Sequence, residues 1–251
     1  FVVRDLIAPG QTSSGAIMYP RMTTRTNAAA TVGETLAKPY SNYAFELVQV
    51  PVQTIAHLVK ASRQVLDDAP QLQSTIDSEL RYGLQLTEEF QILQGDGTGV
   101  NLFGLVPQAS AYSAAFAVTG ETAIDRLSLA LLQAELALLP STGIILNPTD
   151  WRKILMLKDG MGRYIVGDPL GQGPQELWGV PVAVTLAMTA GNFLAGAFRD
   201  GAQLFDRMMA EVLVSTENVD DWEKNLCTVR GEERLALAVR RPGAFIYGTL
   251  P

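Results

Sequence analysis

Cysteine and histidine are almost missing from this chain: Cys227 and His57 are the only residues of their kinds among 251. A lone cysteine forms no intrachain disulfide, which fits folding in a cytoplasmic compartment. A lone histidine excludes a His cluster for zinc and any two-His metal site, and a lone thiol excludes a site built on several thiolates. A Ser-His-Asp or Cys-His apparatus would have to work through His57 alone. The simpler reading makes His57 a hydrogen-bonded packing residue and Cys227 a small buried filler. Long apolar runs are missing too, so no helix is expected to span a bilayer. The start, Phe1-Val2-Val3-Arg4, has no initiator Met, no short apolar run and no small-residue cleavage site. It does not read as a signal peptide, and material upstream is expected to have been cut away or to lie outside this sequence.

Positive charge is scarce. The formal net charge is -7 and the pI about 4.8, the reverse of what a nucleic-acid binder needs, since phosphate binding rests on clustered Lys and Arg. Phosphate loops are lacking as well. Gly95 to Gly99 has no Gly-Lys-Ser/Thr ending, follows a helical pattern where a phosphate loop precedes one, and has no calcium-loop carboxylate series. It reads as a helix stop. Gly160-Met161-Gly162 and Gly171-Gln172-Gly173 complete no dinucleotide fingerprint and read as turns. No Gly-x-Ser-x-Gly, internal repeat or low-complexity tract occurs.

What remains is a composition 47% hydrophobic and 18% charged, that of a folded protein of one large or two closely joined domains. Phe1 to Pro20 reads as an extended leading segment with turns at Pro9-Gly10 and Ser13-Ser14-Gly15. Arg21 to Tyr43 is polar and small, and Phe45 to Val50 has strand character. Two extended arms around a polar middle predict a long two-stranded excursion with little core of its own. The strongest helix runs from about Pro70 to Gln94. Asp67-Asp68 are candidate caps, and Leu72, Ile76, Leu80, Leu84, Phe90 and Leu93 form its apolar stripe. A second, more buried helix is expected at Ala123–Leu139. Strands are predicted at 143–146, 180–184, 193–197, 203–205, 211–215 and 234–239, with a short helix at 150–158. The class is mixed α+β. Glu88-Glu89 reads as a solvated pair, and of Glu232 and Glu233 only one can face a pocket if they lie on a strand.

Several segments, each weak alone, recur in order along nearly the whole chain: Arg4-Asp5-Leu6, Thr54-Ile55-Ala56-His57, Ala61 to Val65, Asp67 to Pro70, Gly95 to Gly99, Leu146-Asn147-Pro148, Gly162 to Ile165, Trp178 to Val182, Asp206-Arg207-Met208 and Glu232 to Ala238. With them the chain resembles the major capsid proteins of the Hong Kong 97 phage type. The resemblance implies an α+β capsid fold: a leading segment (1–20), an extended loop (21–52), a peripheral domain with a spine helix at about 70–94 (53–100 and 205–236), and an axial domain (101–204 and 237–251). It also implies a virion subunit, assembled in the host cytoplasm into pentamers and hexamers around non-specifically held DNA. Its partners would be an upstream scaffolding segment, a maturation protease and a portal. No membrane, metal or cofactor is implied.

The resemblance further carries a chemistry. In this phage type a loop lysine attacks an asparagine of a neighbouring subunit with a glutamate assisting, releasing ammonia and leaving an isopeptide bond. The matching residues are Lys38, Asn225 and Glu232, with Val32 and Met208 at apolar positions around the pocket. An ammonium must lose a proton before it attacks, and a carboxylate in an apolar pocket can take it. Arg230 departs from the pattern, standing where an apolar residue is the rule. Paired with Glu232 it makes a poorer base, yet it also disfavours charge on an incoming Lys38. Two other functions compete: a nanocompartment shell subunit, which upstream coding sequence would distinguish, and a soluble α+β enzyme, for which no catalytic cluster is legible.

Overall fold

The computed structural model describes residues 3–64, 70–167, 175–218 and 221–251, with the side chains of 70–73 outside that description. The capping pair Asp67-Asp68, the side chain of Leu72 and the Gly171 to Gly173 turn therefore lie outside the described residues. The chain opens with a short helix α1 (Val3–Leu6) and strand β1 (Ala8–Gln11), so the leading segment is less extended than its turn residues predict. Strands β2 (Ala16–Thr26) and β3 (Asn42–Pro51) pair antiparallel as an isolated ribbon, the predicted excursion with its base five residues earlier than Arg21. β4 (Gln53–Ser62) then leads toward α2 (Pro70–Gln94).

α2 buries Leu80, Leu84, Ile92 and Leu93, each worth roughly 1.5–3 kcal/mol when fully removed from water. Phe90, assigned to that stripe from the sequence, is 51% exposed. The buried line runs instead through Glu88, because the four-residue spacing from Leu84 lands there. The helix stops as read. Gly95 lies so close to the Leu102 carbonyl that a Cβ would meet its oxygen at 2.3 Å, and the Gly95 N–H closes the last turn on Gln91. His57 of β4 bonds the Leu80 carbonyl through Nε2 at 2.9 Å, and Cys227 is buried. Both are packing residues, as expected.

Past α3 (Leu105–Gln108) and β5 (Ser110–Ala111), α4 (Ala123–Leu136) starts in a Thr122–Asp125 capping box. It ends three residues short of its predicted end because Leu138 turns left-handed (φ 58°) and Leu139 N–H reaches back to the Ala134 carbonyl. β6 (Gly143–Leu146), α5 (Pro148–Leu155), β7 (Glu176–Leu177), β8 (Val180–Val184) and β9 (Asn192–Gly196) follow. α6 (Phe198–Gly201), β10 (Ala202–Ser215), α7 (Asp221–Lys224), β11 (Leu226–Val239) and β12 (Phe245–Thr249) complete the chain.

Among the described residues the strands form three sheets: β1-β10-β11-β4, β5-β12-β9-β6-β8-β7, and the β2-β3 ribbon. Two stretches read as separate pieces, 203–205 and 211–215, are one strand, β10. Register shifts on either side of Met208 absorb the break in alternation there. β11 likewise begins at Leu226 rather than Arg234. Its run of charge, Arg230 to Arg234, hides a strand that pairs on both sides. The main core packs α1, α2, α6 and β10–β12 around Phe198 and Phe245, and a second core lies between α4, α5 and the six-stranded sheet.

Candidate functional site

β11 is the middle of the four-stranded sheet, and successive residues along it face opposite sides. Glu232 is 6% exposed on one of those sides. Its carboxylate accepts from Arg234 Nε at 2.9 Å and from the terminal nitrogen at 2.6 Å, and Arg230 Nε lies 3.3 Å away. The pairing anticipated for Arg230 is therefore present, and Arg234 doubles it. Across the ladder Met208 stands opposite Arg234 and Glu211 opposite Glu232, while Leu213 and Leu58 flank Arg230. The structure thus brings Arg230 and Glu232 together, and Met208, at a register shift of the ladder, stands across from Arg234. Both guanidinium groups therefore hold the Glu232 carboxylate in this structure. Arg234 was missed from the sequence, although alternate charges at 230, 232 and 234 on a strand share one face.

Asn225 sits at the junction of α7 and β11 with φ 53°, left-handed backbone that asparagine tolerates better than most residues. Its carbonyl accepts from Arg63 N–H at 3.0 Å, and the residue is exposed. Six residues of strand, Leu226 to Gly231, lie between it and Glu232, seven steps that span about 23 Å at the rise of a β-strand. Lys38 is exposed and Val32 half-buried, both in the 27–41 segment beyond the last ribbon pair, Thr26 and Asn42. The ribbon meets the body near its base, where Val239 N–H donates to Tyr19 Oη at 3.2 Å and Met22 N–H to the Arg240 carbonyl at 3.0 Å. Among the described residues no hydrogen bond or ion pair within one chain joins Lys38, Asn225 and Glu232.

Glu233 faces the other side of the sheet, toward α2, and this cluster was not anticipated. Arg4 pairs with both Glu88 and Asp206. Glu89 accepts from Val3 N–H at 3.2 Å and from the Thr185 hydroxyl at 2.6 Å. The Glu88-Glu89 pair, read as solvated, is instead built into the core, because α1 folds over α2 and brings a cation and a backbone donor to it. Glu233 is 4% exposed, and its Oε1 has no hydrogen-bond partner among the described residues. Burial, then the nearby Glu88 charge, pushes its carboxyl up to about 7; burial also raises Glu88 and Asp206. A cavity of about 410 Å³ opens onto these groups. Partners 84 to 202 residues apart leave no local signal in the sequence.

Among the described residues no group of three or more His, Cys, Asp or Glu is arranged to hold a metal ion, and no helix is long and apolar enough to cross a membrane.

A profile of the phage capsid family matches residues 1–250. The chain is 49% identical over 247 residues to the major capsid protein of Enterobacteria phage HK97, covering 98% of this chain and 64% of that protein. It therefore spans less than two thirds of that relative's length. Its fold superposes on the capsid of the native GTA particle (TM-score 0.74, 18% identity, 99% of this chain and 89% of the other). It also superposes on a chain of Gordonia phage Cozz (0.76, 16%, 98% and 85%) and on one from the Phage G assembly of gp27 major capsid and gp26 decoration proteins (0.77, 9%, 99% and 89%). At these identities the agreement establishes the fold.

Proposed function

The chain belongs to the phage capsid family, and from that premise we propose that it is a structural shell subunit, forming the pentamers and hexamers of an icosahedral head around double-stranded DNA. The observation that carries this reading is the β2-β3 ribbon. Phe45 and Leu47 are 58% and 70% exposed on it, and Leu36 and Tyr40, in the 27–41 tip that it carries, 67% and 96%. A two-stranded ribbon is marginal alone in water, and apolar groups in such number call for a cover. In a closed shell a neighbouring copy supplies it. The four-stranded sheet with α2 serves as the peripheral domain, and the six-stranded sheet as the axial one. Assembly takes place in the host cytoplasm with a scaffolding segment, a maturation protease and a portal as partners. The packaged DNA is held weakly, since a net charge of -7 repels phosphate. Co-expression with the upstream segment and protease, followed by negative-stain imaging, should show closed shells. A compact monomer as the sole product would end this reading.

The same reading includes covalent joining. The Lys38 amine attacks the Asn225 side-chain carbonyl, the new C–N bond replaces the old one, and ammonia leaves. Glu232 accepts the proton that the ammonium must shed, once a guanidinium moves aside. Because Asn225 and Glu232 lie about 23 Å apart on one strand, a single chain does not supply both to one bond. The asparagine and the assisting glutamate come from different subunits, and the lysine from a third or from the glutamate's neighbour. Assembly supplies the proximity, so no cofactor or outside enzyme is needed.

A further inference from the structure

The cavity above Glu233 has the character of an unfilled socket. Three carboxylates, Glu88, Asp206 and Glu233, face a single guanidinium, Arg4. Arg4 is committed to the first two, and Glu233 keeps an oxygen without a partner although it is almost wholly buried. A buried acceptor left unsatisfied costs the full desolvation of that group, and a cationic donor removes the cost most effectively. The rim is of another kind. Tyr82, Leu86 and Met209 line the mouth and are 54%, 40% and 68% exposed. An aromatic ring, a leucine and a thioether suit the methylene stem and flat head of an arginine.

We propose that this socket receives Arg25 from the ribbon of a second copy of the chain. Beyond its last hydrogen bond to the body, at Met22, the ribbon carries only two cations, Arg25 and Lys38. Arg21, nearer the base, is already held by Gln108 and Glu46. Arg25 is exposed and makes no ion pair among the described residues. The socket also opens at the right place for a ribbon directed at Glu232. β1 pairs with β10 only as far as Asp206, so from Met208 onward that edge carries no neighbouring strand among the described residues. Met208 lines the socket and also stands opposite Arg234 beside the Glu232 patch. A ribbon crossing this edge would carry Lys38 to one face of the sheet and Arg25 to the other. The proposal rests on the shell reading above.

The test pairs Arg25→Cys with Met209→Cys in a Lys38→Ala background, which keeps the gels free of isopeptide ladders. Native Cys227 is buried and does not interfere. Oxidised shells should give a reductant-sensitive ladder of linked subunits, whereas Arg25→Cys with Arg163→Cys should give none. Equal ladders from both pairs, or none from the first, overturn the proposal. If the cysteine pair blocks shell formation, a double-mutant cycle of Arg25→Ala and Glu233→Gln on the shell's dissociation midpoint decides. A coupled effect supports the contact, and additive effects sink it. Shells that form normally but fail both tests defeat only this contact, while a native chain that forms no shells defeats the shell reading as well.

Discussion

Glu232 and Glu233 are adjacent on β11 and serve opposite faces of its sheet: one is clasped by two guanidinium groups, the other is buried beside two more carboxylates. A single peptide bond separates a satisfied anion from a frustrated one.

Replacing Lys38 by Arg should abolish covalent ladders on denaturing gels of mature shells while leaving assembly intact. The charge survives and the usable amine does not. Boiled mature particles of the native chain running as a single band near 27 kDa, with no Lys-Asn peptide lacking ammonia by mass spectrometry, would show that no such joining occurs.

Arg230→Leu should speed the joining. The substitution removes the weaker of the two guanidinium contacts, at 3.3 Å, and leaves Arg234 to hold Glu232 in place. Glu232→Gln should stop the reaction, having no carboxylate to take the proton. An unchanged time course for Arg230→Leu in a gel assay would show that Arg230 does not control access to Glu232.

Glu233→Gln should stabilise the disassembled subunit at pH 8 and do little at pH 5. The folded carboxyl titrates at about 7, above its ordinary value of 4.5. The folded state therefore prefers the neutral acid: that contribution is complete below about pH 4.5 and is lost as pH rises through 7. The full shift corresponds to an effect on the order of 3 kcal/mol. Denaturant titrations at the two pH values measure it, and an equal effect at both would refute the assignment. In assembled shells a seated Arg25 should shrink the difference.

Gly95→Ala should cost about 1–3 kcal/mol, because the added carbon meets the Leu102 and Gln91 carbonyl oxygens at 2.3 and 2.6 Å and backbone cannot step aside cheaply. Gly160→Ala, with nothing within 4 Å, should change stability little. Thermal unfolding of both variants provides the comparison.

Periodicity made α2, the two-armed ribbon and the strands of the second half legible, since each repeats a local spacing. The sequence concealed what depends on distant partners. Charge along 230–234 masked half of β11, although ion pairs across and along the ladder make those residues acceptable in a central strand. Glu88 reads as solvent-facing until Arg4, 84 residues away, is known to lie on it. The residues proposed for crosslinking came from resemblance, and composition and spacing alone do not single them out, because they are not neighbours in one chain.

The ribbon's attachment has a mechanical side. Its contacts at Tyr19 and Met22 act as a fulcrum, with Thr26, Asn42 and the 27–41 tip as the long arm. An arm of roughly 35 Å, counting four strand residues and half the tip at full extension, swings its end by about 6 Å for each ten degrees of rotation at the base. Small torques where Val239 N–H meets the Tyr19 hydroxyl are thereby geared up into strokes as long as a side chain. On the proposed reading, a small rotation at the base would be enough to move Lys38 into or out of reach.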